Sequence, residues 1–169
     1  MDCVASTYPH IDIFWNSRPI NGAYHHVTRP HRWENEFIGK LDLQEIARLG
    51  ENVAAKWAEV AGWSVLERQK RNRGFELDLV LRRGSFLRVV EVKTRVFPKG
   101  APDMNTTEAW LGFKKRQALQ RGVHFILRGL GTEAKSLSSI TCDLVAVDIL
   151  KTRQIAVYRW PDAFPLGGE

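Results

Sequence analysis

The chain reads as an α/β domain, a mixed β-sheet flanked by helices, and three features of the sequence predict it. An apolar stripe at helical spacing fills residues 43–61. Three β-rich runs follow it closely, and a second helical stretch separates them from two further strands. The resulting order is α-β-β-β-α-β-β. At 169 residues, 44% of them hydrophobic and 26% charged, the chain is sized for one domain with a core of its own.

Residues 1–40 show no clear periodicity. They hold Tyr8, Phe14, Trp15, Tyr24 and Trp33, four histidines and three prolines. The expectation is an irregular extension that packs on the domain or on a second copy, which makes a homodimer a candidate assembly. His10, His25, His26 and His31 match no familiar metal-ligand spacing. The domain proper is expected over residues 41–165, with a short tail at 166–169.

Asp42-Leu43-Gln44-Glu45 has the form of a capping box. Leu43, Ile46, Ala47, Gly50, Val53, Ala54, Trp57, Ala58 and Ala61 then trace the apolar face of a helix, and Gly62 is its expected stop. Glu51 lies at the margin of that face, between packed surface and solvent. A strand is expected from Trp63 to Arg68, followed by a turn over Gln69–Gly74.

The next two strands carry the chemistry. Glu76-Leu77-Asp78-Leu79-Val80-Leu81 and Val89-Val90-Glu91-Val92-Lys93-Thr94-Arg95 place charges inside β-rich apolar runs. Burying charge is costly unless it is paired or binds a metal. Residues two apart share a strand face, so Glu76 joins Asp78 and Glu91 joins Lys93. A two-residue Arg83-Gly84 loop would set Glu76 opposite Glu91, with Asp78 diagonal to it. Carboxylates gathered in this way repel one another unless a cation compensates them. A hard divalent ion suits oxygen ligands, and Mg²⁺ needs only one or two carboxylates beside phosphate oxygens.

Residues 96–108 read as a loop, 109–127 as the second helix and 129–140 as another loop. Residues 143–149 and 155–158 form the last strands, with Lys151-Thr152-Arg153 at their turn. Asp143 begins a strand, could equally be a structural cap, and is kept outside the site.

Charge is distributed unevenly. Residues 1–62 carry six Lys/Arg and eight Asp/Glu, residues 63–99 ten and four, and residues 114–128 five and none. Basic surface therefore brackets the acidic cluster, which suits a polyanion whose phosphates approach carboxylate-bound metal. Arg71, Arg73, Arg95, Lys114, Lys115 and Arg116 are the candidate nucleic-acid contacts. No apolar run is long enough to span a membrane. Cys3 and Cys142 offer no disulfide framework, and the N-terminus does not read as a secretory signal, so a reducing cytoplasm is expected.

Asp78 followed by Glu91-x-Lys93 resembles the PD-(D/E)XK nuclease motif. The resemblance narrows to the YraN-like family of predicted endonucleases. It rests on Gly50-Glu51-Asn52-Val53-Ala54-Ala55, Gly62-Trp63, Arg71–Val80, Val90–Arg95, Lys115, Cys142–Val147 and Asp162-Ala163-Phe164, in the family's order across residues 45–165. One departure is visible: Phe75 separates Gly74 from Glu76 where the family reads Gly-Glu. The resemblance implies a restriction-endonuclease-like, Holliday-junction-resolvase-like fold and a Mg²⁺-dependent endonuclease, with Mn²⁺ as substitute. It implies nucleic acid as substrate, DNA first, branched or structured forms included. Asp78, Glu91 and Glu51 would hold the metal, Lys93 and Glu51 would act in catalysis, and Glu76 would be accessory. Two other readings are a non-catalytic nucleic-acid-binding module on the same fold and a surface salt-bridge ladder.

Overall fold

The structure, a computed structural model, describes residues 18–20, 23–28, 41–96, 111–149 and 155–164. Seven strands and two long helices make up this part of the chain. They are β1 (Arg18–Ile20), β2 (Ala23–Thr28), α1 (Leu43–Val60), β3 (Ser64–Asn72), β4 (Phe75–Arg83), β5 (Phe86–Val96), α2 (Phe113–Leu130), β6 (Ser139–Ile149) and β7 (Ile155–Phe164). One sheet holds them in the order β1-β2-β7-β6-β5-β4-β3. Its neighbours are antiparallel except β5 and β6, which are parallel. Parallel neighbours need a crossover, and α2 supplies it. The mixed α/β sheet expected from the sequence is the observed architecture, compatible with a restriction-endonuclease-like fold.

The capping box forms as read. Asp42 Oδ1 accepts from the Glu45 amide, and Glu45 Oε2 accepts from the Asp42 amide, both at 2.8 Å. Gly62 ends the helix region with φ +81, a left-handed conformation that L-residues with a β-carbon resist.

Several boundaries differ from the expectation. β1 and β2 lie inside the stretch read as irregular, and β2 pairs with β7. The aromatic and histidine side chains of residues 1–40 lie outside the described residues. So do most of the expected 96–108 loop and the Lys151-Thr152-Arg153 turn. β3 continues to Asn72 instead of turning at Gln69, because Arg71 pairs with Glu76 and Asn72 with Phe75 across the strands. α2 starts at Phe113 behind Gly112, and a 3-10 turn (Gly131–Ser136) fills much of the expected loop after it.

The two sheet faces form separate cores. Val53, Ala54, Trp57 and Ala58 of α1 pack on Leu79, Leu81, Val90 and Val92. Leu119, Val123 and Ile126 of α2 pack on Leu77, Val80, Leu87 and Val89. Each fully buried Leu or Val contributes about 1.5–3 kcal/mol relative to exposure, enough in sum to tolerate charge inside the sheet. A glycine brings each helix close. A β-carbon on Gly50 would overlap Thr94 of β5, and one on Gly122 would stand 2.5 Å from Leu77 Cδ2 of β4. Both contacts lie beside the strand positions that carry the acidic residues.

Candidate active site

The β4–β5 ladder runs from Arg83↔Phe86 to Leu79↔Val90 and stops there. The loop is therefore Gly84-Ser85, one residue later than expected. Gly84, at φ +59, takes the first loop position, where a II′ turn calls for glycine. The expected Arg83-Gly84 loop would have put Arg83 at the first position and Gly84 at the second. The correction shifts the register by two, which preserves face parity and brings Asp78, in place of Glu76, level with Glu91.

At Asp78 regular pairing gives way. Its Oδ2 accepts the Val92 amide at 2.8 Å, so a side chain takes a donor next to the end of the ladder. Leu77 joins the α2-side core whereas Leu79, two residues on, joins the α1-side core. Strict alternation along β4 is thus broken at Asp78. In the neighbouring strand, Gln69 has φ +48 between the pairs Arg68↔Leu79 and Lys70↔Leu77. The opened seam admits charge from both layers: Glu51 of α1 and Lys115 of α2 both act on Asp78.

Glu91 is only 2% exposed and is gripped by two lysines. Lys93 Nζ donates to Oε1 at 2.7 Å, and Lys115 Nζ lies 2.6 Å from Oε2. The second contact is an ion pair at hydrogen-bond distance. Burial, reinforced by the charge of Glu91, pushes the Asp78 carboxyl up to about 7, against the Val92 amide and Lys115. Burial opposes the charge of Lys115, yet Glu91 and then Asp78 outweigh it and raise its pKa.

Glu51 reaches this region less directly. Its Oε2 accepts from Gln69 Nε2 at 2.7 Å. Among the described residues no three His, Cys, Asp or Glu side chains close on one metal position. What the site offers is a pair of buried carboxylates, Asp78 and Glu91, and that pair fits the oxygen preference and low ligand demand of Mg²⁺. Glu76 pairs with Arg71, with NH2 at 2.6 Å and Nε donating at 2.8 Å, as an exposed cross-strand pair beside the site.

The expected nucleic-acid contacts separate into groups. Lys115 lies within the carboxylate pair. Lys114 is exposed and Arg116 half-buried on the same first turn of α2, which has no acidic residue. Arg73 is exposed at the β3–β4 turn, and Arg121 clamps that turn by donating Nε and NH2 to Gly74 O at 3.1 and 2.8 Å. Arg95 is engaged by Asp148 instead of standing open to a ligand, its Nε donating at 2.7 Å. Asp143 is engaged in structural contacts. It accepts from Arg88, Arg159, Thr141 and the Asp162 amide where β7 bulges against β6.

Gln69 is the site residue that sequence reasoning missed. Nothing in a charged run marks a glutamine for a left-handed conformation, and the reading placed it in a turn.

A mixed sheet that carries a buried Asp, a Glu-x-Lys with its Glu buried and a crossover-helix lysine is compatible with a nuclease-like α/β domain. Residues 50–150 match the uncharacterised protein family UPF0102. The chain is 32% identical over 123 residues to a UPF0102 protein of Hahella chejuensis, covering 71% of this chain and 90% of that one. It is 31% identical over 120 residues to one of Geobacter sulfurreducens, covering 69% and 86%. The match to a UPF0102 protein of Rhizorhabdus wittichii is shorter, 46% over 48 residues, and spans 28% of this chain and 41% of the relative. The chain belongs to UPF0102, the YraN family, of the PD-(D/E)XK-like nuclease superfamily.

Proposed function

We propose that this protein is a metal-dependent endonuclease that hydrolyses phosphodiester bonds in nucleic acid, DNA in particular. The observation that carries the reading is the buried Asp78–Glu91 pair at the opened β4–β5 seam, with Lys93 on Glu91 and a basic helix turn beside it. The buried acids that serve stability, Asp143 and Asp148, are held by arginines, whereas Asp78 and Glu91 are held by an amide and two lysines.

Asp78 and Glu91 would hold Mg²⁺ or Mn²⁺, with Glu51 on its water shell. The bound ion would supply charge neutralisation and an activated water. The protein's own groups do the rest. The Val92 amide fixes the Asp78 carboxylate. Lys93 orients the attacking water or deprotonates it, beside the phosphate. Lys114, Lys115 and Arg116 face the nucleic-acid backbone from the positive end of α2, where anions are favoured. Among the described residues no helix is long and apolar enough to cross a membrane, and a cytoplasmic setting suits the free, buried Cys142.

A second reading, a non-catalytic nucleic-acid-binding module, is favoured by one feature: Glu91 is already compensated by two ammonium groups. A cleavage panel of linear, nicked and branched DNA and RNA with Mg²⁺ and Mn²⁺ separates the two. Asp78→Ala and Glu91→Ala should each abolish cleavage. Lys93→Ala should lose turnover while still binding metal. Salt-sensitive binding without cleavage across the panel would leave the binding module as the better account.

A further inference from the structure

Lys115 does not behave as a surface lysine waiting for phosphate. Its side chain is 31% exposed, and its ammonium lies 2.6 Å from Glu91 Oε2. It also acts on Asp78, and Lys93 holds the opposite oxygen of Glu91. Lys115 therefore places a positive charge beside both carboxylates that a divalent ion would use.

We propose that Lys115 competes with the metal for Glu91, so that metal binding is tightened by arrival of nucleic-acid phosphate. This rests on the nuclease reading above and deepens it.

Three observations carry the coupling. First, one carboxylate oxygen cannot serve an ammonium at contact distance and a divalent cation together without strong repulsion between the two cations. Second, Lys115 has an alternative partner close at hand. It sits in the first turn of α2, with Lys114 and Arg116 beside it, no acidic residue and no side-chain cap from Gly112. Three cations at the positive end of a helix oppose its dipole, and a phosphate group placed there relieves them. Third, a lysine is a point charge on a flexible four-carbon stem, so it can turn from carboxylate to phosphate without moving the helix. Phosphate that draws the ammonium off Glu91 frees Oε2 for metal. By linkage, metal must strengthen phosphate binding by the same factor.

The test measures Mn²⁺ affinity calorimetrically on the full chain, with and without a phosphorothioate-substituted DNA duplex that resists cleavage. Without DNA, Lys115→Met should bind Mn²⁺ on the order of tenfold more tightly than wild type, and Lys115→Arg should stay close to wild type. Lys115→Gln provides a second neutral variant should the methionine fold poorly, as judged by circular dichroism. DNA should tighten Mn²⁺ binding more in wild type than in either neutral variant. Equal Mn²⁺ affinity in wild type and the neutral variants, or equal tightening by DNA, overturns the competition and leaves the nuclease reading standing. Absence of Mn²⁺ binding in all of them, with and without DNA, overturns both.

Discussion

Gly50→Ala tests whether the site depends on close helix–sheet approach. A β-carbon there would overlap Thr94 Oγ1 and stand 2.8 Å from Thr94 Cβ and 2.9 Å from Cγ2. Rotating the threonine moves Oγ1 and Cγ2 but leaves Cβ in place. Backbone must therefore yield by about 0.6 Å to restore an ordinary 3.4 Å contact. Helix propensity alone would favour alanine by about 1 kcal/mol. Overpacking a rigid contact costs about 1–3 kcal/mol, and with Cβ itself engaged the upper part of that range applies. The expected net result is destabilisation by about 1–2 kcal/mol. Glu51 is the next residue, so lifting α1 also draws its carboxylate away from Gln69 and Asp78, and cleavage should fall with stability. Guanidinium unfolding of the single variants and of Gly50→Ala combined with Thr94→Gly gives a double-mutant cycle with positive coupling, because the double variant removes the obstructing atoms. A Gly50→Ala protein that gains about 1 kcal/mol, as propensity alone would have it, refutes the argument.

Three further outcomes follow from individual residues. Asp78 has a folded-state pKa above its unfolded value of 3.8, near 7, so the folded state binds more protons between those limits. Its contribution to stability is present below about pH 4 and is lost as pH rises through about 7; Asp78→Asn should flatten that decline and be more stable than wild type at pH 8, by about 1–4 kcal/mol, as read from urea unfolding at several pH values. For Gln69, glycine relieves the left-handed backbone whereas alanine keeps the strain, and both lose the bond to Glu51; Gln69→Gly should therefore be about 1 kcal/mol more stable than Gln69→Ala, with cleavage lowered in both, and equal thermal midpoints would contradict this. Asp143→Ala leaves Arg88 and Arg159, 20% and 11% exposed, facing each other without their acid. It should cost about 3 kcal/mol or more, while Glu91→Gln should cost only about 1 kcal/mol, since Lys93 and Lys115 can turn to water; a chemical denaturation series ranks the two.

What was legible in the sequence is what depends on short-range rules. The Asp42–Glu45 box and the Gly62 stop are local, and both form. Face sharing by Glu91 and Lys93 needs only a period of two. The grouping of Asp78 with Glu91 was reached through the wrong loop, and it survives because a shift of two residues keeps every side chain on its face. Turn chemistry could have corrected the loop, since a lone glycine after arginine suits the first II′ position better than the second I′ position. The reversal between Leu77 and Leu79 was not legible. It depends on Gln69 bending β3 and on Gly122 admitting Leu77 beneath α2, the latter a contact made across more than forty residues of sequence. β1 and β2 were missed for a related reason: Arg18–Ile20 is too short for periodicity to register, and β2 is placed by its pairing with β7.

Among the described residues the sheet buries four acids, and their partners differ in kind. Asp143 and Asp148 are held by arginines, whose guanidinium forks match carboxylates and stay charged. Those pairs tie β6 to β5 and β7 and leave the acids nothing else to bind. Asp78 and Glu91 are held by a backbone amide and two lysines, partners that fix a carboxylate without filling its coordination sphere. An amide takes one lone pair, and an ammonium on a flexible stem can leave when a stronger attraction arrives. Composition alone cannot separate the two pairs, since all four are acids in apolar strands. The difference lies in whether the compensating charge is a fork or a point, and in whether the strands around it stay zipped. At Asp143 a β-bulge wraps the carboxylate in donors. At Asp78 the ladder opens, and both oxygens of Glu91 are held by lysine ammonium groups alone. A protein that needed these two acids only for stability would gain by closing that seam and giving them arginines, as it does along β6.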